Sequence, residues 1–343
     1  MQRSEKKTIL TIRELPKRAK ELLESIAGGK YQIQSLGRIE EAQYSSVGIL
    51  LLDTALPDDR NILSEEYLRK FSSLKLIQST RAGVDVLDFE KIPANVIICG
   101  NVGAYGDQIA EHVIGMILYF ARNLGNSYTK LKQGIWEIPS NSLYLKGKDL
   151  LVLGTGGIGD SVARLAKCFG MKTLGTNTSG RPVPGFDQVF NTDKIDEALG
   201  IPEIIVIALP LTVKTFHLIN REKLQKMKKD AILVNVARGY VIDEEALFRH
   251  LRENPEFRCA LDVWWWYPKP GEKFTQKFPF FDLPNFLGTP HDSGIVPETE
   301  EIALVSAIEN IGRFVRNEPL KGEMDRAEYV GLRALISEER KMS

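Results

Sequence analysis

One short run decides most of what this chain can fold into. Four apolar residues, Leu150-Leu151-Val152-Leu153, lead straight into Gly154-Thr155-Gly156-Gly157-Ile158-Gly159, and a helix-period stretch from Asp160 to Phe169 follows. Glycine is common, so the spacing alone says little; the strand before it and the helix after it give it meaning. Gly154 permits a tight turn, Gly156 lets the backbone approach a pyrophosphate, and Gly159 lets helix and strand touch. The free N–H groups at the start of the helix face the anion. The run therefore predicts the first βα turn of a nicotinamide-dinucleotide fold, with a plain structural turn of another α/β protein as the alternative.

An NAD site of this kind places Asp or Glu about 20 residues further on, where it accepts hydrogen bonds from the adenosine ribose. Here the second strand ends Gly175-Thr176-Asn177-Thr178-Ser179-Gly180-Arg181, with neutral Asn177 at that point. A carboxylate would repel a 2′-phosphate, whereas Asn177, Thr178 and Ser179 offer hydrogen bonds and Arg181 a positive charge. NADP is the preferred cofactor on these residues, with NAD the alternative; an ordinary polar turn with Arg181 in solvent is the structural one.

The rest of the chain supplies the setting. Its 343 residues suit about two domains. From Thr8 onward, β-rich runs alternate with helix-period stretches, the pattern of βαβ units. Strands are expected at Thr8–Ile12, Ile49–Asp53, Leu74–Gln78 and Val96–Cys99, then a long helix from about Gln108 to Leu124. A second series follows at Asp149–Leu153, Met171–Thr176, Ile204–Leu209, Ile232–Val236, Arg258–Val263 and Phe286–Gly288. A further helix over about Pro297–Val315 comes too late for that series and is expected to cross back. The expected architecture is α/β: two Rossmann-like, doubly wound parallel-sheet domains with a cleft between them, residues 104–291 binding the dinucleotide and 1–103 with 292–343 forming the other domain. The charged stretch from about Lys321 to Ser343 fits neither series.

Lys plus Arg equals Asp plus Glu at 45 each, so no global field draws in nucleic acid or an anionic membrane. Cys99, Cys168 and Cys259 have no metal-site spacing and read as reduced core residues; no metal is expected. Neither a signal-like leader, the N-terminus being charged from Arg3 to Lys7, nor an apolar run of about 18 residues is present, so a reducing cytoplasm fits.

Seven segments in order carry a resemblance: Leu76-Ile77-Gln78 with Ala82-Gly83-Val84-Asp85; Ile109-Ala110-Glu111-His112; the glycine loop; Leu209-Pro210-Leu211-Thr212 with Thr215; Asn235-Val236-Ala237-Arg238-Gly239; Leu261-Asp262-Val263; and Thr289-Pro290-His291. Over about residues 70–320 the chain resembles the D-isomer-specific 2-hydroxyacid dehydrogenase family. The resemblance implies that Arg238 binds the substrate, that His291 is the acid/base, and that N–H groups around Ala82, Gly83 and Val84 take the substrate carboxylate. Leu209, Pro210, Thr215, Val236, Ala237, Asp262 and Ser293 would line the cofactor, with Asp262, Val236 and Ser293 near its nicotinamide end. A fixed guanidinium suits an adjacent carboxylate and carbonyl, and an imidazolium can protonate that carbonyl as hydride arrives at C2. His112 and His217 read as cap or packing residues and His250 as part of a solvated helix face. The family further suggests a homodimer through the cofactor domain, with about Leu124 to Tyr144 reaching the partner.

The pattern breaks at one position. Members acting on 2-hydroxyacids usually pair the histidine with a glutamate five residues after the aspartate, and here that residue is Tyr267, in Trp264-Trp265-Trp266-Tyr267-Pro268. A tyrosine can hold the ring but supplies no negative charge near pH 7, which sets the expected optimum of carbonyl reduction lower. Glu272 folding back to His291 is the alternative. The aromatic run is a pocket wall, a dimer contact or core packing. The leading expectation is a reductase of a small 2-oxoacid such as glyoxylate or hydroxypyruvate; a cofactor-sensing binding protein with lost turnover, or a formate- or phosphite-type dehydrogenase, are the others.

Overall fold

A computed structural model describes residues 6–342; of the charged N-terminal stretch, Arg3 to Glu5 lie outside them. Val47–Leu52 and Ile204–Ile207 are buried at every position, as expected of strands that helices cover on both faces, and such strands pair in parallel. The chain divides into two compact units, one running to Ala104 and resuming over Pro297–Lys341, the other Tyr105–Val296.

In the first unit, β1 (Lys7–Thr11), β2 (Tyr31–Ser35), β3 (Val47–Leu52), β4 (Leu76–Ser79) and β5 (Ile97–Cys99) form a sheet of order β2-β1-β3-β4-β5. All four pairings are parallel. Ile9, Ile49, Leu51 and Leu76 from the sheet pack with Leu23 and Ala27 of the helix Lys17–Ala27 and with Ala307, Ile308 and Ile311 of the helix Thr299–Val315. Each fully buried aliphatic side chain of this kind stabilises the unit by about 1.5–3 kcal/mol. Gly28, in the left-handed region at φ 56°, ends the first of these helices.

In the second unit, β6 (Asp149–Leu153), β7 (Lys172–Asn177), β8 (Gln188–Asn191), β9 (Ile204–Ile207), β10 (Ile232–Asn235), β11 (Arg258–Leu261) and β12 (Phe286–Gly288) form a parallel sheet of order β12-β11-β10-β9-β6-β7-β8. The chain runs outward from β6 to β8, returns to β9 on the other side of β6 and runs outward again. That reversal is the topological switch point at which open α/β sheets bind ligands. The helix Gly106–Ala121 lies so close to the helix Gly157–Cys168 that a Cβ on Gly106 would stand 2.8 Å from both the Gly157 carbonyl oxygen and Ser161 Oγ.

Several expectations need correction. β2 and β8 are strands that the sequence pattern missed. The long helix stops at Ala121 rather than Leu124, because Asn123 turns left-handed at φ 53° and a new helix, Leu124–Lys132, begins. Cys168 is exposed while Cys99 and Cys259 are buried, and burial pushes the Cys99 thiol up to about 12. His250 is not on a solvated face: it is half-buried edge-on to Phe257 at 4.6 Å. The segment from Lys321 belongs to the first unit, and its helix runs Leu332–Met342. Among the described residues no helix is long and apolar enough to cross a membrane.

Candidate active site

The glycine loop has the shape its spacing predicts. Gly154 sits at φ 101°, and a Cβ there would stand 2.8 Å from the Ala208 carbonyl oxygen; one on Gly159 would stand 2.0 Å from the Gly154 oxygen. These two positions admit no side chain. Gly156 differs, since a Cβ there would meet nothing within 4 Å. It therefore opens onto free space beside the start of the helix Gly157–Cys168, which is where a pyrophosphate would need main-chain N–H groups. The residues present fit a dinucleotide.

At the end of β7, Asn177 organises its own turn. Its Oδ1 accepts from Ser179 N at 3.1 Å and Ser179 Oγ at 3.0 Å, and its Nδ2 donates to Thr155 Oγ1 at 3.2 Å and the Arg181 carbonyl at 3.1 Å. The amide is fully engaged, and Ser179 Oγ, which donates to it, also accepts from Arg181 N at 3.2 Å, so the side chains left for a ligand here are Thr178 and the exposed Arg181. After β9, Thr215 Oγ1 donates to the Pro210 carbonyl at 2.6 Å and accepts from Thr212 N at 2.8 Å, closing the turn that carries Leu209 and Pro210.

After β10 the chain passes through buried Val236 and Ala237 to half-buried Arg238. Asn235 braces this turn, accepting from Ala237 N at 3.0 Å and donating to the Arg238 carbonyl at 3.0 Å. Arg238 Nη1 donates to the Ala237 carbonyl at 2.7 Å. A Cβ on Gly239 would stand 2.3 Å from the carbonyl carbon of Trp264, so the turn presses directly on the chain leaving β11.

Asp262 is completely buried and both of its oxygens point into the loop after β12. Oδ1 accepts from Thr289 Oγ1 at 2.5 Å and Asp292 N at 3.0 Å, and Oδ2 accepts from Ser293 N at 3.1 Å. Three donors on one carboxylate fix the loop that carries His291. His291 itself is exposed, at φ 61°, with its ring centroid 5.3 Å from that of Tyr267. The Tyr267 hydroxyl accepts from Trp264 N at 3.1 Å. Glu272 is used elsewhere, accepting from Lys269 N at 3.0 Å within its own turn. The aromatic run splits. Trp264 and Trp265 are core, their indole N–H groups donating to the carbonyls of Thr289 and Ile242 at 2.9 Å each, while Trp266 and Tyr267 are exposed.

Sequence reasoning overlooked one member of this cluster. His112, read as a cap or packing residue, places Nε2 3.2 Å from Thr289 Oγ1, so it adjoins the hydroxyl that holds Asp262. Only its place in the segment Ile109-Ala110-Glu111-His112 hinted at this. His112, Asp262 and Asp292 bring potential ligand atoms within 4.8 Å of one another, but the Asp262 oxygens are already spent on the loop. His217 is a packing residue, stacked on Phe216 at 4.2 Å.

Ala82, Gly83 and Val84 belong to the first unit, on the loop leaving β4. Val84 is buried, the Gly83 carbonyl accepts from Thr54 Oγ1 at 3.1 Å, and Arg81 makes a two-pronged ion pair with Asp53 at 2.8–3.0 Å.

Residues 114–293, all within the second unit, match the family model for the D-isomer specific 2-hydroxyacid dehydrogenase, NAD binding domain. D-3-phosphoglycerate dehydrogenase of Methanocaldococcus jannaschii is 35% identical over 259 residues, 75% of this chain and 48% of that protein, so the chain spans about half of that relative's length. Hydroxypyruvate reductase of Thermotoga maritima is 33% identical over 245 residues, 70% of this chain and 77% of that one. A solved D-isomer specific 2-hydroxyacid dehydrogenase family protein from Aeromonas salmonicida superposes with a TM-score of 0.73 at 31% identity, covering 94% of this chain and all of that one.

Proposed function

The chain belongs to the D-isomer-specific 2-hydroxyacid dehydrogenase family, and from that premise we propose that it reduces a small 2-oxoacid, of the glyoxylate or hydroxypyruvate type, with NADP(H) preferred over NAD(H). The observation that carries this is the common origin of the parts. The glycine loop, Arg238 and the His291 loop all leave the carboxyl ends of one parallel sheet, and Arg238, Asp262 and His291 follow three adjacent strands.

When bound, the nicotinamide would supply the hydride that C2 gains on reduction. Gly154 to Gly159 would hold the pyrophosphate through main-chain N–H groups, and Thr178 and Arg181 would receive the adenosine end, with Ser179 joining them if its hydroxyl turned from Asn177. Arg238 grips the substrate carboxylate and polarises the neighbouring carbonyl, with the N–H groups of Ala82, Gly83 and Val84 taking the carboxylate as the family resemblance assigns. His291, as imidazolium, gives its proton to the carbonyl oxygen while C2 gains the hydride, and as imidazole recovers it in the reverse direction. Tyr267 packs on the ring and orients it without adding charge. Support for NADP is the absence of a carboxylate at the end of β7 and the exposed guanidinium of Arg181.

We also propose that the chain works as a homodimer in a reducing compartment. Its cofactor-binding unit exposes Tyr128, Trp136, Ile138 and Tyr144 at 70–84%, more apolar surface than a lone unit leaves to water without purpose.

The test is direct. Absorbance of NADPH and NADH is followed with glyoxylate, hydroxypyruvate, pyruvate, formate and phosphite. Oxidation of NADPH by a 2-oxoacid at higher kcat/KM than with NADH is the expected result. Turnover of formate or phosphite alone refutes the substrate class, and tight cofactor binding with no turnover at all leaves a cofactor-sensing protein.

A further inference from the structure

Between β4 and β5, residues 80–96 form no strand or helix. Fixing an irregular chain costs about 1–2 kcal/mol per residue, and loops beyond about 12–15 residues are usually functional or disordered. This one is neither short nor loose, because a segment more than 200 residues away holds it.

Gly100 N donates to the Gly322 carbonyl at 2.9 Å and Met324 N to the Ile98 carbonyl at 2.9 Å, so residues 322–324 run antiparallel along the edge of β5. Arg326 then enters the loop. Nη1 donates to the Ile92 carbonyl at 2.8 Å and to that of Phe89, and Nη2 to the carbonyls of Pro93 at 2.9 Å and Val96 at 3.5 Å. One planar fork thus gathers four carbonyls along the loop, which only arginine has enough donors to do. Tyr329 stacks on Phe89 at 4.5 Å and 9°, Gly331 N donates to Glu90 Oε1 at 3.2 Å, and Arg333 lies 3.4 Å from Asp88. The other end of the loop meets the same segment at Gly100, where a Cβ would stand 2.4 Å from the Ala82 carbonyl oxygen and 2.6 Å from Met324 Cε. Asn101 N also donates to the Arg81 carbonyl at 2.8 Å.

We infer that Lys321–Arg333 is a clamp that positions Ala82, Gly83 and Val84 for the substrate carboxylate, with Arg326 as its principal positioning residue. This rests on the proposed role of that loop. The hydrophobic cluster under the first sheet contains no residue of the clamp, so loosening the clamp leaves the sheet standing. The loop then samples more conformations, and the oxoacid binds at the expense of reordering it. Cofactor affinity is untouched, because the glycine loop belongs to the other unit.

The experiment compares wild type with Arg326→Met and Arg326→Lys in the full chain, using the 2-oxoacid that the wild type reduces best. Arg326→Met raises the oxoacid KM about tenfold or more, lowers kcat less than threefold and leaves NADPH affinity unchanged. Arg326→Lys, which keeps the charge and reaches fewer carbonyls, falls between. Amide exchange quickens across 80–96 and stays slow in β1, β3 and β4. If Arg326→Met does not fold, Tyr329→Leu removes the stack on Phe89 and carries the same expectation. An unchanged KM, or unchanged exchange across 80–96, overturns the clamp. A wild type that reduces no oxoacid refutes the functional proposal itself, whereas a wild type that turns over with an indifferent variant refutes the clamp alone.

Discussion

Two glycines of the same loop, Gly156 and Gly159, should fail in opposite ways when each becomes alanine. At Gly159 the new methyl would stand 2.0 Å from the Gly154 oxygen and 3.1 Å from Val152 Cγ1. Ordinary contact begins near 3.4 Å, so helix and strand must part by more than about 1 Å, a distortion costing about 1–3 kcal/mol against a helix-propensity gain of about 0.5–1 kcal/mol. Gly156 has φ −77° and ψ −167° and nothing within 4 Å of a Cβ. Alanine adopts that conformation without strain, and the stiffer unfolded chain stabilises the protein by about 0.4–1 kcal/mol. At about 2–4 °C per kcal/mol for a unit of this size, G159A melts lower than wild type and G156A slightly higher. Fluorescence titration with NADPH then gives the second number. G156A weakens binding more than about tenfold, or 1.4 kcal/mol, because its methyl fills the gap into which the pyrophosphate must come. A G156A protein that binds NADPH as tightly as wild type would refute the placement of the cofactor, whatever its melting temperature.

Arg181→Ala should cost NADPH about 1.5–3 kcal/mol, the worth of a hydrogen bond to a charged group, and leave NADH affinity within about twofold; equal losses for both would show that Arg181 does not meet a 2′-phosphate. Asp262→Asn leaves at least one of three buried donors facing an amide N–H, so unfolding should come easier by about 1–3 kcal/mol and kcat should fall with the loosened His291 loop; an unchanged denaturation midpoint would contradict the anchor. His291→Gln should lower kcat by about 10²–10⁴ with NADPH affinity intact. Burial holds the His250 pKa below its ordinary value, and its Nε2 has no partner. Since the unfolded chain takes up the proton first, this stability is present above about pH 6.5 and lost as pH falls through the lower folded value. Denaturant midpoints measured from pH 7.5 to 5 should decline more steeply in wild type than in His250→Phe.

What the sequence disclosed follows the physics of each part. Strands buried on both faces, such as Leu150–Leu153 and Ile204–Ile207, announce themselves as apolar runs. β2 and β8 lie at the edges of their sheets, where Tyr31-Gln32-Ile33-Gln34-Ser35 and Gln188-Val189-Phe190-Asn191 mix polar and apolar residues with no position wholly buried except Ser35, and they leave no such mark. The candidate site was legible where local geometry demands one residue type, as at Gly154 and Gly159. It was illegible where the purpose depends on a distant partner. Thr289 lies 177 positions from His112 and 27 from Asp262, and nothing local to any of them records the contact. His250 misled for a related reason. Its neighbours Arg249 and Arg252 are charged, but one face of that helix meets Phe257.

If His291 is the acid/base proposed above, its left-handed backbone sets stability against chemistry. A β-carbon in that region costs about 1–2 kcal/mol that glycine does not incur, and asparagine tolerates it better than most residues. Random variants of this chain sorted only for survival on heating should therefore enrich glycine or asparagine at 291 and discard the imidazole. The position is one where a hardier protein and a working one part company, and a thermostability campaign would have to hold it fixed by design.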